Sequence, residues 1–125
     1  MAHTFIWEDN GLYWRHQGTL DAKDIIHANG ELIAKAEFKH IKYIIWDATD
    51  VDAVNVDDDL VGVSTTFAMT TNKYNPYIKV AFIAKDEHLR LLITKYIELT
   101  LNNLPDAKQA LFENIEEARE FISQG

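Results

Sequence analysis

Residues 43–59 read YIIWDATDVDAVNVDDD. The first four, Tyr43, Ile44, Ile45 and Trp46, form a short run of β-branched and aromatic residues that Asp47 closes. Such a run suits a central strand buried on both faces. From Asp47 onward, six aspartates fall within thirteen residues. The last three, Asp57, Asp58 and Asp59, suit the cap and first turn of a helix, where carboxylates satisfy free N–H groups and oppose the helix dipole. The stretch therefore predicts a strand ending at Asp47, a loop over residues 49–56 and a helix starting near Asp57. Val51 and Val54 are expected to tuck that loop against the core.

Working outward, residues 5–8 and 12–17 flank Asp9-Asn10-Gly11. Asn-Gly tolerates the positive φ angles of a tight turn, so these segments read as an antiparallel hairpin. Asp21 follows as an N-cap, with Ile25, Ile26, Leu32 and Ile33 at helical spacing, which predicts a helix over residues 22–37. Beyond Asp57, a stripe of Leu60, Val63, Phe67 and Thr71 marks the second helix. Pro76 separates it from an apolar strand over residues 77–84. Asp86 caps a third helix over residues 87–101, closed by Asn102-Asn103-Leu104-Pro105. Residues 109–112 read as a brief strand, and residues 115–123 as a closing amphipathic helix. The order is β-β-α-β-α-β-α-β-α. A hairpin followed by strand–helix alternation predicts an α/β fold with a mixed sheet, its later strands parallel through crossover helices.

The chain has 125 residues, the size of one domain spanning 1–125. It has no cysteine, which excludes disulfides and thiolate chemistry. A formal charge of −8 argues against nucleic acid and against anionic membranes as partners. A basic protein surface or a small neutral ligand remains compatible with it. MAHTFIWEDNG has no basic leader, and no run approaches the roughly 20 apolar residues of a membrane span. The expectation is a cytoplasmic protein.

Several stretches together carry a family resemblance. They are Gly18-Thr19-Leu20-Asp21 after the hairpin, Tyr43-Ile44-Ile45-Trp46-Asp47, Val80-Ala81-Phe82-Ile83-Ala84, and Phe112-Glu113-Asn114-Ile115-Glu116-Glu117-Ala118 running into the last helix. The chain resembles the STAS domain, shared by SpoIIAA-type anti-sigma factor antagonists and the cytoplasmic tails of sulfate transporters. The last stretch looks especially like small stand-alone bacterial SpoIIAA-like proteins, some of which are proposed to resemble the lipid-binding CRAL-TRIO fold. The resemblance implies a regulatory, protein-binding module without enzymatic activity. The antagonists carry an Asp-Ser-Ser-Gly-Leu box at the start of the helix after the central strand, where one serine is phosphorylated. The matching region here is Val54 to Leu60, with Asn55 at the Asp position and Leu60 at the Leu. No serine or threonine lies within it.

The aspartates do not fit a calcium loop. Counting from Asp50 places Val54 at the fifth position, and counting from Asp47 places Val51 there, with no Gly following. No metal site and no cofactor are expected. The five histidines are dispersed, and no nucleophile, P-loop or dinucleotide motif occurs. Ligands of open α/β sheets bind at the carboxyl ends of parallel strands. On that rule Asp47, Thr49, Asn55, Asp57, Asp58, Asp59 and Lys85 are the candidate partner-binding residues. The three consecutive aspartates would act as a permanently negative face where the antagonists place a phosphoserine.

The third helix is apolar on more than one side. Leu89, Leu92, Ile93, Tyr96 and Thr100 make an inward face, while Leu91, Ile97 and Leu101 fall partly outside it and could form a homodimer face. The alternative function is a carrier for a small apolar or lipid ligand. A continuous cavity of several hundred Å³ would favour that carrier, whereas a solid core with an exposed patch near Asp57 would favour the protein-binding module.

Overall fold

The computed structural model describes residues 2–124. Its elements are β1 (Ala2–Trp7), β2 (Gly11–Asp21), α1 (Ala22–Ile33), a 3₁₀ turn (Ala36–Lys39), β3 (Tyr43–Asn55), α2 (Asp58–Asn72), β4 (Lys79–Ile83), α3 (Glu87–Asn103), β5 (Lys108–Phe112) and α4 (Ile115–Ser123). The five strands form one sheet in the order β1-β2-β3-β4-β5. β1 and β2 are antiparallel. The pairs β2–β3, β3–β4 and β4–β5 are parallel.

Each parallel connection moves one strand over in the same direction. Right-handed crossovers then put α1, α2 and α3 on one face of the sheet. Beneath them lie Leu12, Trp14, Leu20, Ile44, Trp46 and Phe82. The other face is covered by α4 alone, whose Ala118, Phe121 and Ile122 pack on Ile45, Ala81 and Ile83. Up to the register shifts in the β2–β3 ladder, even-numbered residues of the central strands thus face the three helices and odd-numbered ones face α4, as the strand period of two requires.

The helix starts follow local chemistry. Asp21, Asp57, Asp86 and Asn114 each accept a backbone N–H with the side chain, which satisfies a donor left over at the helix start. α1 is shorter than its periodicity predicts. It stops at Ile33, and the 3₁₀ turn then swings Phe38 into the core, where it is 2% exposed.

The central strand departs most from expectation. β3 does not end at Asp47 but continues through the predicted loop to Asn55. Its second half pairs with the second half of β2, from Gln17↔Asp50 to Asp21↔Asn55. Two register shifts interrupt the ladder, between Arg15 and Gln17 and between Gly18 and Thr19. Gly18 sits beside both at φ 75°, a conformation that costs glycine least. Val51 and Val54 do pack against the core, but from a strand. Gly11 serves a different need. A Cβ there would stand 2.3 Å from the Tyr43 ring, so only glycine lets that ring lie over the start of β2.

Candidate functional site

The predicted site residues fall into two groups on opposite faces of the sheet. Asn55 ends β3, and Asp57, Asp58 and Asp59 open α2, all four exposed. Asp57 Oδ1 accepts from the Asp59 N–H at 3.0 Å, which closes the cap. Asp58 pairs with Lys95 of α3 at 3.1 Å. The ring of His88, the second residue of α3, lies 2.9 Å from the Val56 carbonyl. Two contacts from α3 therefore hold the start of α2 in place. Lys85 is exposed between β4 and α3 on the same edge.

Asp47 and Thr49 do not join that group. Because β3 runs on, Asp47 lies mid-strand, opposite the last residue of β4, Ile83. Its carboxylate faces the α4 side and is 6% exposed. Oδ2 accepts the Tyr13 hydroxyl from β2. Oδ1 accepts the Thr49 N–H at 2.9 Å and the Thr49 hydroxyl at 2.5 Å. Burial, then the Asp47 hydrogen bond, pushes the Tyr13 phenol well above its ordinary value.

Around this pair runs a belt of charge that α4 leaves uncovered. Arg15 Nη2 meets Asp50 at 2.6 Å, and the Arg15 pKa rises further through that bond. Arg119 of α4 grips Glu8 with two hydrogen bonds of 2.6 and 2.7 Å, and Tyr43 donates to the same carboxylate. The Arg119 hydrogen bond holds Glu8 below the ordinary carboxylate range. The Arg119 guanidinium also lies 5.8 Å from the Tyr13 ring centre. These groups satisfy one another and tie α4 to the hairpin.

On the three-helix face a cavity of about 180 Å³ runs beneath α2. Trp14, Trp46, Leu60, Phe67, Phe82 and Leu92 are among its walls. Its far end holds Thr100 and Gln109. Thr100 Oγ1 and Gln109 Oε1 are both buried without a hydrogen-bond partner. The Tyr96 hydroxyl sits beside both and feels them, but no well-aligned hydrogen bond reaches either atom. Burial raises the Tyr96 pKa.

His16 also points to the three-helix face and is 1% exposed. It is wedged between aromatic rings, with centroids 5.0 Å from Trp14 and 4.3 Å from Trp46. Neither ring nitrogen has a partner. Burial, with a lesser push from His3, lowers its pKa to about 3.

The third-helix face assigned to Leu91, Ile97 and Leu101 is divided. Leu91 is 55% and Leu101 38% exposed, whereas Ile97 packs against the core. Among the described residues, no group of three or more His, Cys, Asp or Glu is placed to hold a metal ion. Among the same residues, no helix is long and apolar enough to cross a membrane.

Sequence reasoning passed over the polar end of the cavity. One signal was present: Tyr96 and Thr100 share the inward stripe of α3, and Gln109 is the one uncharged polar residue of β5. The Tyr13–Asp47 pair carried no such signal, because its partners are 34 residues apart.

No family model matches this chain, and no curated protein matches it. Solved structures do. The anti-sigma factor antagonist SpoIIAA in its unphosphorylated form superposes with a TM-score of 0.59 at 13% identity, over 95% of this chain and 96% of that one. An uncharacterised protein of the DUF3478 family with a SpoIIAA-like fold, from Shewanella loihica PV-4, superposes with a TM-score of 0.54 at 14% identity, over 97% and 92% of the two chains. The hairpin, the parallel strands and the four helices of this chain make the SpoIIAA-like (STAS) fold.

Proposed function

We propose that this chain is a non-enzymatic regulatory module that binds a protein partner through the edge where α2 begins. One observation carries the reading: Asp57, Asp58 and Asp59 are exposed together on a helix start braced by α3. A net charge of −8 and three adjacent carboxylates suit a partner with a basic surface. No hydroxyl residue lies between Val54 and Leu60; the next one, Ser64, is a turn further on and lines the cavity. Docking at this edge would therefore be constitutive, with Asn55, Lys85 and the three aspartates as its contacts. Asp47 and Thr49 would act indirectly, by stiffening β3.

The test is an Asp57/Asp58/Asp59→Asn triple variant compared with wild type in quantitative affinity capture. Asparagine caps a helix as well as aspartate does, so the fold is expected to hold. The proteins enriched by wild type should fall at least tenfold. An unchanged set from a folded variant would sink the reading.

A second reading, a carrier of a small apolar ligand, is favoured by the cavity beneath α2. Its roughly 180 Å³ is small for a drug-sized ligand, which ranks this reading second.

A further inference from the structure

The cavity beneath α2 has a shape, a charge and a polar end, and each constrains what could occupy it. Its walls include both Leu60 near the start of α2 and Thr71 near the end. Those residues are about 16 Å apart along the helix axis. The walls also reach across the sheet, from Ile25 and Leu32 of α1 to Gln109 of β5, so the channel's volume of about 180 Å³ is spread thinly over them. For comparison, a dry cavity of about 150 Å³ holds a benzene molecule. The channel thus fits one thin aliphatic chain of roughly eight carbons better than a ring system.

No Lys, Arg or His is among the described residues lining the channel. Its one charged wall residue, Asp57, is exposed at the α2 end and already occupied as a helix cap. An anionic head would find no countercharge inside, and a buried unpaired charge is strongly disfavoured. The ligand head must therefore be neutral.

The opposite end is not apolar. Thr100 Oγ1 is buried in a residue 1% exposed, and Gln109 Oε1 is buried near it; the Tyr96 hydroxyl lies beside both side chains, but neither atom has a well-aligned hydrogen bond. Threonines in helices often return a hydrogen bond to the carbonyl four residues back. Thr65, Thr66, Thr70 and Thr94 do this here, but Thr100 does not. Buried polar atoms in folded proteins are nearly always paired, so two orphans at one end of a cavity point to a missing partner. Gln109 Oε1 can only accept, whereas the Thr100 hydroxyl can accept or donate. The group that satisfies both must offer at least one N–H or O–H. An alcohol or primary amide does; an ester or ketone leaves Gln109 unpaired.

We infer that the channel beneath α2 binds a neutral, single-chain aliphatic alcohol or amide, its donor head held by Thr100 and Gln109. The inference rests on the carrier reading and adds to it the head group and its two recognition residues.

The experiment is calorimetric titration of the full chain with 1-octanol and, separately, octanoate at pH 8, where a free carboxylic acid is ionised. 1-Octanol is expected to bind, shifting the Trp14 and Trp46 emission, with octanoate at least tenfold weaker. Thr100→Val, which keeps the shape of the side chain, and Gln109→Leu are then combined. The double variant should bind 1-octanol about tenfold more weakly, the scale of a lost buried hydrogen bond. Equal binding of the two probes to wild type would overturn the head assignment while leaving the carrier reading standing. So would an alcohol preference that survives in the folded double variant. Binding of neither probe to wild type would remove the carrier reading itself. The comparison on wild type decides the outcome even if the double variant fails to fold.

Discussion

Asp47 takes the hydrogen bond of the Tyr13 hydroxyl across the β2–β3 pair, on the face of the sheet that α4 only partly covers. Asp47 is 6% exposed, so each of its oxygens needs a partner. Thr49 serves Oδ1 and Tyr13 serves Oδ2. Tyr13→Phe removes one donor and leaves a buried carboxylate oxygen unpaired. The expected cost is about 1–3 kcal/mol in urea melts at pH 7. The phenol also predicts a pH effect. Its folded pKa stands above the ordinary 10.0, so its share of stability is intact below pH 10 and is lost as pH rises beyond it. Tyr13→Phe should flatten that alkaline loss; a variant as alkali-sensitive as wild type would show that Tyr13 is not the cause.

His16 makes the opposite prediction in acid. Its folded pKa of about 3 lies below the ordinary 6.5, because the imidazolium would be buried among rings with no acceptor. The unfolded chain therefore binds a proton that the folded chain refuses between those values. Stability is intact above about pH 6.5 and drains away as pH falls toward 3, by up to roughly 5 kcal/mol. His16→Phe keeps the aromatic packing and removes the proton site. Chemical melts at pH 7, 5 and 4 should show a clearly shallower decline for the variant. Parallel declines would mean that the carboxylates, not His16, set the acid limit.

The Glu8–Arg119 pair joins residues 111 positions apart and fastens α4 to the turn of the hairpin. The pairing is bidentate, but the side chains are 25% and 42% exposed, so solvent screens much of it. Arg119→Gln is expected to cost about 1 kcal/mol at low salt and less at high salt. The Arg119 hydrogen bond depresses the Glu8 pKa below 4.5, so this increment is present above that pH and disappears as pH falls through the depressed value. Melts of wild type and variant at two salt concentrations check it; a gap that does not narrow with salt would point to packing by the Arg119 stem instead.

Local signals carried most of the fold. The hairpin, the caps at Asp21 and Asp86, and much of the amphipathic patterning depend on neighbours within a few residues and appear where expected. Two details differ: the hairpin turns without a positive φ at Asn10 or Gly11, and Val63 and Ile26, expected on inward stripes, are exposed, while Val61 and Thr65 are the buried residues of α2. The extension of β3 could not be read that way. Residues 48–55 mix valines with aspartates, and only pairing with residues 17–21 of β2 makes them a strand. That single non-local pairing separates the expected site, because it moves Asp47 and Thr49 from a strand end to mid-sheet. The channel escapes sequence reading for a similar reason. It depends on how far α2 stands off the sheet, and nothing within α2 states that distance. The stripe of Leu60, Phe67 and Thr71 looks the same over a filled core as over a hollow one.

That hollow can be tested without any ligand. Ala68 of α2 lines the channel, and its methyl leaves the space above it unfilled. Ala68→Leu would place a larger apolar side chain in that space. Filling an existing void commonly stabilises a protein by about 0.5–2 kcal/mol, whereas forcing extra carbons into a packed core costs about 1–3 kcal/mol. The sign of the change therefore reports whether the space is real. Ala68→Leu is expected to raise the melting temperature by a few degrees, since about 1 kcal/mol moves a domain of this size by roughly 3–5 °C. The same substitution should block 1-octanol while leaving Asp57, Asp58 and Asp59 free to dock a protein. Loss of partner capture together with 1-octanol binding would show the two sites to be coupled through α2, whose first turn carries one and whose inward stripe roofs the other.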